Sequence, residues 1–174
     1  MQTQSEAELI AQSLTGDTAT YAKLVDRYKN AIYYHCFAIV RDEDAAEDMA
    51  QEAFIAAFYS LKTYKPQYRF STWLFKIATN KCLGYLQAKA KTIAASDELI
   101  ASIVSVHATP HEWAEAQELH DAVHKLSPKH QAVISLYYWQ GMAYADIAQT
   151  LGAPINSVRI WLLRAKQRLR KELS

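Results

Sequence analysis

Apolar residues recur at intervals of three and four along nearly the whole chain, and no strict two-residue alternation competes, so the sequence predicts an all-helical protein. Ser5 and Glu8 have capping-box spacing ahead of Leu9, Ile10 and Leu14, which defines a short first helix ending near Gly16. Asp17 then caps a long core helix carrying Leu24, Val25, Tyr28, Ile32, Cys36, Ile39 and Val40, broken at Arg41 and Asp42. A third helix runs from Glu43 to about Leu61. Ser71 or Thr72 caps a fourth, packed by Leu74, Ile77, Ala78, Cys82 and Tyr85 and ending near Lys91. From 92 to 110 the period is lost and small residues prevail up to Pro110, the signature of an interdomain linker. Beyond it Trp113, Leu119, Val123 and Leu126 mark one helix. Ser127 and Pro128 open another, with Val133, Ile134, Leu136 and Tyr137 as its core before Gly141.

The remaining segment reads as a helix-turn-helix. Tyr144, Ile147, Ala148 and Leu151 form the supporting helix, and Gly152 supplies the tight turn that lets the next helix cross it. Val158, Leu162, Ala165 and Leu169 then make one apolar stripe, with Pro154 expected in the first turn. Arg159, Arg164, Lys166, Arg168, Arg170 and Lys171 occupy the other arc, where cations reach phosphates and base edges in a major groove. The fold class is therefore all-α: two small helical domains joined by a linker, the second a helix-turn-helix related to winged-helix domains but without a wing. The predicted bounds are 1–91, 92–110 and 111–174.

Composition adds limits. The chain of 174 residues has room for one large or two small helical domains, and only four Gly and four Pro leave few turns. No run approaches the roughly 20 apolar residues that span a bilayer, and no signal segment opens the chain, so a soluble, cytoplasmic protein without membrane insertion is expected. Cys36 and Cys82 sit in apolar helical contexts and are expected to be buried thiols.

Charge changes the picture more. The net charge of +1 conceals four blocks. Residues 1–61 hold four Lys/Arg against ten Asp/Glu, whereas 62–91 hold seven basic residues and no acid. Residues 92–125 hold one Lys against six acids, and 126–174 seven basic residues against two acids. Two basic blocks point to two nucleic-acid contacts, and the acidic ones to solvated faces or docking surfaces for a basic protein. In the third helix Glu47, Asp48, Gln51 and Glu52 share one arc, opposite Met49, Ala50, Ala53, Phe54, Ala57 and Leu61.

In the loop at 62–71, Tyr64, Tyr68 and Phe70 interleave with Lys62, Lys65 and Arg69, a mixture that suits unpaired bases, with cations on the backbone and rings for stacking. Aromatics beside a helix start are more often core than base platform. Lys76, Asn80 and Lys81 are the polar features of the helix that follows. His120 and His124, four apart on one helical face with His111 and His130 nearby, are the best metal lead, but no third ligand or orienting carboxylate accompanies them, and neither a metal nor a cofactor is expected.

Two segments resemble one family: Ala46 to Phe54 (AEDMAQEAF) with Phe70 to Asn80 (FSTWLFKIATN), and Leu126 to Val133 (LSPKHQAV) through Ala165 to Arg170 (AKQRLR). They look like the two conserved domains of extracytoplasmic-function (ECF) sigma factors of the sigma-70 family, small bacterial RNA polymerase subunits. The resemblance implies that Glu47, Asp48, Gln51 and Glu52 dock on the basic clamp helices of core RNA polymerase. It implies that Tyr64, Lys65, Arg69, Phe70, Ser71, Thr72, Trp73, Lys76 and Asn80 capture and melt the minus-ten element of promoter DNA, with Asn80 reading an extruded base. Asn156, Ser157, Arg159, Ile160, Arg164, Lys166 and Arg168 then read the minus-thirty-five duplex. It implies a polymerase subunit and not an enzyme in its own right. Because no further domain follows Ser174, sensing is expected from a separate anti-sigma factor. The alternative is a helix-turn-helix regulator that binds duplex DNA without polymerase, which needs neither the first basic block nor an acidic docking helix.

Overall fold

The computed structural model describes residues 4–95 and 117–173, and among these no strand occurs. The first half holds α1 (Glu6–Ser13), α2 (Thr18–Val40), α3 (Glu43–Ser60) and α4 (Phe70–Ala95), with a 3₁₀ turn at Leu61–Thr63 after α3. The second holds α5 (Gln117–His124), α6 (Pro128–Ile134), α7 (Tyr144–Leu151) and α8 (Ile155–Glu172).

The predicted helix starts carry their caps. Ser5 Oγ accepts the Glu8 amide at 3.3 Å while the Ser5 amide donates to Glu8 Oε2 at 2.9 Å, so the capping box is complete. Asp17 accepts the amides of Ala19 and Thr20 at 3.0 and 3.2 Å, and Asp42 accepts that of Ala45 at 2.8 Å. Between α2 and α3, Arg41 is the sole non-glycine with positive φ among the described residues, at 61°. Two bonds hold it there: its amide donates to Phe37 O at 3.0 Å, and its guanidinium to Leu126 O at 2.9 Å.

Three boundaries differ from expectation. α4 begins at Phe70, before the expected Ser71 or Thr72 cap, and runs on to Ala95, so the expected linker yields its first residues to the helix. The rest of that linker, with His111 and Trp113, lies outside the described residues. α6 gives way at Ser135–Trp139 to a π turn, in which the Gln140 amide reaches back five residues to Ser135 O at 3.1 Å. Pro154 precedes the first residue of α8 instead of entering it, and its carbonyl accepts the Ser157 amide at 2.9 Å. Gly152, at φ +60°, makes the predicted left-handed turn between α7 and α8.

The core is continuous. α2 packs on α1, α3, α4 and α6, and α4 packs on α7, so the two halves share one interior. Cys36 and Cys82 are both buried and free, and contact with Cys82 together with burial pushes the Cys36 thiol up. His35 sits among apolar side chains at 0% exposure. Thr79 Oγ1 donates its proton to Phe75 O at 2.7 Å, so it accepts from His35 Nε2 at 2.8 Å. Nδ1 is then left to accept from Ser135 Oγ at 2.9 Å. One imidazole thus ties α2 to α4 and to the π turn, with no nitrogen unsatisfied.

Burial lowers the His35 pKa from 6.5 to about 3. Below the unfolded value the unfolded chain takes up a proton that the folded one refuses, so this contribution to stability is lost as pH falls from 6.5 toward 3. Between about pH 7.5 and about pH 5 the wild type should lose roughly 2 kcal/mol more stability than His35→Gln in denaturant melts. Equal losses in both proteins would contradict the neutral buried imidazole.

Candidate nucleic-acid and polymerase interface

On α3 the apolar stripe of Ala46, Met49, Ala50, Ala53 and Ala57 is buried against α2 and α4, which leaves Glu47, Asp48, Gln51 and Glu52 exposed on the outer arc. Gln51 Nε2 donates to Glu47 Oε1 at 3.2 Å. Glu52 meets Lys81 of α4 at 2.9 Å, an exposed ion pair where the acidic arc borders the basic block. The arc extends further than the charges indicate. Ile55 and Tyr59 continue the stripe of Asp48 and Glu52 at helical spacing, and Tyr59 is 82% exposed. Their apolar character disguised them as core; the signal was their spacing from the acids.

The loop after α3 is organised by rings. Tyr64, Phe70 and Trp73 lie 5.4 to 5.6 Å apart, and Phe70 rests against Tyr28 of α2 at 5.7 Å. The Tyr64 hydroxyl donates to Tyr68 O at 2.7 Å, closing the loop on itself. Phe70 and Thr72, at 1% and 2% exposure, are turned inward, so they hold the loop and do not present their side chains to a strand. Tyr68, Lys65, Arg69, Lys76 and Asn80 are exposed, with Ser71, Tyr64 and Trp73 half-buried. Core and surface readings of this loop are thus divided among its residues. A cleft of about 200 Å³ runs between Tyr64, Tyr68, Trp73, Lys65 and Lys76, and Gln149 of α7 lines it too.

In the second half, Val158, Leu162 and Ala165 bury the predicted face of α8 against α6 and α7. Asn156, Arg159, Ile160, Arg164 and Arg168 are exposed, and Ser157 is half-buried. Arg159 donates to Asn156 Oδ1 at 3.3 Å and its guanidinium lies 6.0 Å from the Tyr144 ring. Trp161 is half-buried, with Lys129 Nζ 4.6 Å from its ring. Lys166 departs from expectation: its ammonium lies 5.7 and 5.5 Å from the rings of Tyr137 and Tyr138 in the π turn, away from Arg164 and Arg168. It borders an apolar groove of about 850 Å³ lined by Leu119, Val123, Ile134, Leu169 and Leu173. Leu163 and Gln167, which charge alone did not select, complete the exposed arc.

The histidine lead goes elsewhere. The His124 ring meets Phe37 edge-on at 6.0 Å, and His130 Nδ1 pairs with Ser127 Oγ at 2.7 Å. Burial, then Arg168, Arg164 and Lys129, lower the His130 pKa. Among the described residues no three candidate ligands gather as a metal site.

An acidic face and two cationic faces on two helical units define a DNA-associated protein that also docks on protein. Comparison narrows this. The sequence matches sigma-70 region 2 over residues 24–92 and sigma-70 region 4 over residues 116–169. It is 31% identical to the ECF RNA polymerase sigma factor SigW of Bacillus subtilis, over 94% of both chains. It is 28% identical to the ECF RNA polymerase sigma-E factor of Haemophilus influenzae, over 97% of this chain and 95% of that one. Among solved structures, CnrH in complex with the cytosolic domain of CnrY aligns with a TM-score of 0.68 at 25% identity, over 95% of this chain and 94% of that one. The sigma factor RpoE of Bartonella quintana, in complex with the anti-sigma factor NepR, shares the fold with a TM-score of 0.77 at 22% identity, over 88% of this chain and 96% of that one. The chain belongs to the ECF RNA polymerase sigma factors of the sigma-70 family. Its function is that of a sigma factor, directing RNA polymerase to promoters.

The division of the aromatic loop has a direct consequence. Phe70→Ala should cost about 3 to 5 kcal/mol of stability in denaturant melts, whereas Tyr68→Ala should stay within about 0.5 kcal/mol. Comparable losses would mean that Tyr68 is also a core ring.

Proposed function

We propose that this chain joins core RNA polymerase through the outer arc of α3, captures and melts the minus-ten element with the loop and first turns of α4, and reads the minus-thirty-five duplex with α8. The observation that carries the reading is the meeting of opposite charge within one domain. Glu47, Asp48, Gln51 and Glu52 form an exposed acidic arc, and the Glu52–Lys81 pair is the line across which it turns into a surface bearing Lys65, Arg69, Lys76 and Asn80. A polyanion is repelled by the first surface and drawn to the second, so DNA and a basic protein can be held side by side. A helix-turn-helix regulator acting without polymerase has no use for the acidic arc.

At the minus-ten element the exposed set is Tyr68, Lys65, Arg69, Ser71, Lys76 and Asn80, with Tyr64 and Trp73 at the edge of the cleft and Phe70 and Thr72 holding it in shape. Cations follow the phosphates, rings offer stacking faces, and the Asn80 amide both donates to and accepts from a base edge. On α8, Asn156, Ser157, Arg159, Ile160 and Arg164 face the duplex bases, and Arg168 reaches a phosphate. Lys166, set beside the apolar groove, acts on that side instead. The groove suits an apolar segment of the polymerase's flap, and an anti-sigma factor is the natural competitor, since CnrH and RpoE were solved with their partners. The domains are assigned as 1–91 and 111–174 with 92–110 between them. The chain acts in the cytoplasm and is not itself an enzyme, because the polymerase performs the chemistry. Among the described residues no helix is long and apolar enough to cross a membrane.

The assignments separate experimentally. Asp48→Lys with Glu52→Lys should weaken binding to core polymerase by roughly ten-fold or more, about 1.4 kcal/mol, while leaving the melting transition in place, since the lost surface ion pair contributes about 0 to 1 kcal/mol. Unchanged core affinity would remove the docking assignment. Arg159→Ala and Arg164→Ala should each lower promoter binding by the holoenzyme by about 1 to 3 kcal/mol with core affinity intact. Parallel loss of both activities would instead indicate misfolding.

A further inference from the structure

α1 brings a carboxylate up to the aromatic loop. Residues 62–91 hold seven basic residues and no acid, yet Glu6, the first residue of α1, reaches the rings that organise the start of that block. Tyr28 of α2 donates its hydroxyl proton to Glu6 Oε2. The Tyr28 ring lies 5.7 Å from that of Phe70, and Phe70 in turn lies 5.4 Å from Tyr64 and 5.6 Å from Trp73. Burial, then the bond to Glu6 and its charge, push the Tyr28 hydroxyl well above its usual range, while Arg27 and Arg69 pull it back. Burial and then Glu6 raise Tyr64 as well. Two rings of the cluster therefore face one carboxylate, with Arg69 of the loop close by.

The carboxylate is held in place from α1. Leu9 and Ile10 are buried, and Gln4, just ahead of the helix, accepts Lys23 Nζ on its side chain at 2.8 Å and the Arg27 guanidinium on its carbonyl at 3.3 Å. The cap of α1 is made by Ser5 and Glu8, so Glu6 is not engaged in closing its own helix. Glu6 and Tyr28 are half-buried, a position in which water can satisfy a phenol. A negative charge beside a DNA-facing loop also opposes the polyanion. Neither capping nor solvation accounts for an acid here. What it supplies is a charge-assisted, directional bond that fixes the phenol at its hydroxyl end while Phe70 meets its ring.

We propose that Glu6 is a positioning residue for promoter melting: from the first turn of α1 it holds Tyr28 against Phe70 and, through that ring, sets Tyr64 and Trp73 at the edges of the minus-ten cleft. This rests on the minus-ten assignment above and adds α1 to it. Glu6 acts through Tyr28. A stacking platform is useful only if its rings are locked by the groups behind them, and Phe70, which touches Tyr28, Tyr64 and Trp73, is the ring through which a loosened Tyr28 would be felt.

Glu6→Ala, Glu6→Gln and Tyr28→Phe in the full chain test this with two readouts. The first is hydrogen exchange in the free chain at the Tyr64, Tyr68 and Trp73 amides, which donate to the carbonyls of Leu61, Lys65 and Arg69. Glu6→Ala and Tyr28→Phe should each speed this exchange by about ten-fold, the effect of losing one hydrogen bond to a charged group. The double variant should go no further, because both changes remove the same bond. Glu6→Gln, whose amide oxygen still accepts from Tyr28, should exchange like the wild type. The second readout is the rate at which holoenzyme opens a promoter carrying a fluorescent adenine analogue in the minus-ten nontemplate strand. Glu6→Ala and Tyr28→Phe should open it about ten-fold more slowly. Glu6→Gln should restore the rate, and binding to the closed duplex at low temperature should be unchanged in all three. Unaltered loop exchange in Glu6→Ala overturns the proposal. So does a loosened loop that opens the promoter at the wild-type rate, or a Glu6→Gln chain as slow as Glu6→Ala. A wild-type holoenzyme that opens no promoter removes the minus-ten assignment itself, and the proposal with it.

Discussion

The other described helices of the first half, α1, α3 and α4, are arranged around α2, which also touches α6 of the second. A helix in that position can be apolar on most sides, yet it carries His35 at its buried centre. An unpaired imidazole there would cost the full desolvation of its polar atoms, and the structure avoids this only because Thr79 and Ser135 meet the two ring nitrogens. Those partners sit on α4 and on the π turn after α6, so satisfying one side chain fixes the elements of both halves relative to α2. The π turn itself is understandable in this light: an extra residue per turn places Ser135 on the histidine while Leu136 remains in the core.

From that frame the charge pattern takes on spatial meaning. Burying the alanine stripe of α3 on α2 and α4 forces its acids outward, and α4 then presents its cations beside them. The first domain therefore has a negative side and a positive side that share a border. In the second domain Gly152, at positive φ, makes the turn between α7 and α8, and Ala148 is buried where the two helices pack, which leaves the polar arc of α8 outside. The aromatic cluster of Tyr28, Tyr64, Phe70 and Trp73 does for the loop what an apolar stripe does for a helix: it holds cations and a single exposed ring, Tyr68, in place.

Much of this was readable beforehand because it is local. Capping at Ser5, Asp17 and Asp42, the three-four spacing of α2 and α3, and the turn at Gly152 all depend on residues a few positions apart. What escaped depends on distant neighbours. Ser135, one hundred residues from His35, gave no sign of its role. Phe70 and Thr72 belonged to an aromatic, hydroxylated loop start whose two possible uses spacing could not separate; their burial, with Phe70 against Tyr28, separated them. Lys166 shared a wheel arc with other cations, but two tyrosines of the π turn draw it to the opposite flank. Ile55 and Tyr59, apolar and exposed, were hidden by the rule that apolar residues face inward, a rule that holds poorly in that direction.

The same continuity of core orders the two domains as one body among the described residues. The central claim remains that the chain gives polymerase its promoter. It is tested most directly by transcription in vitro with the purified chain and bacterial core RNA polymerase on a promoter library, with RNA starts mapped by sequencing. The account predicts transcripts absent with core alone and arising from a shared bipartite promoter when the chain is added. No transcript, together with no retention of core polymerase on the immobilised chain, would contradict it.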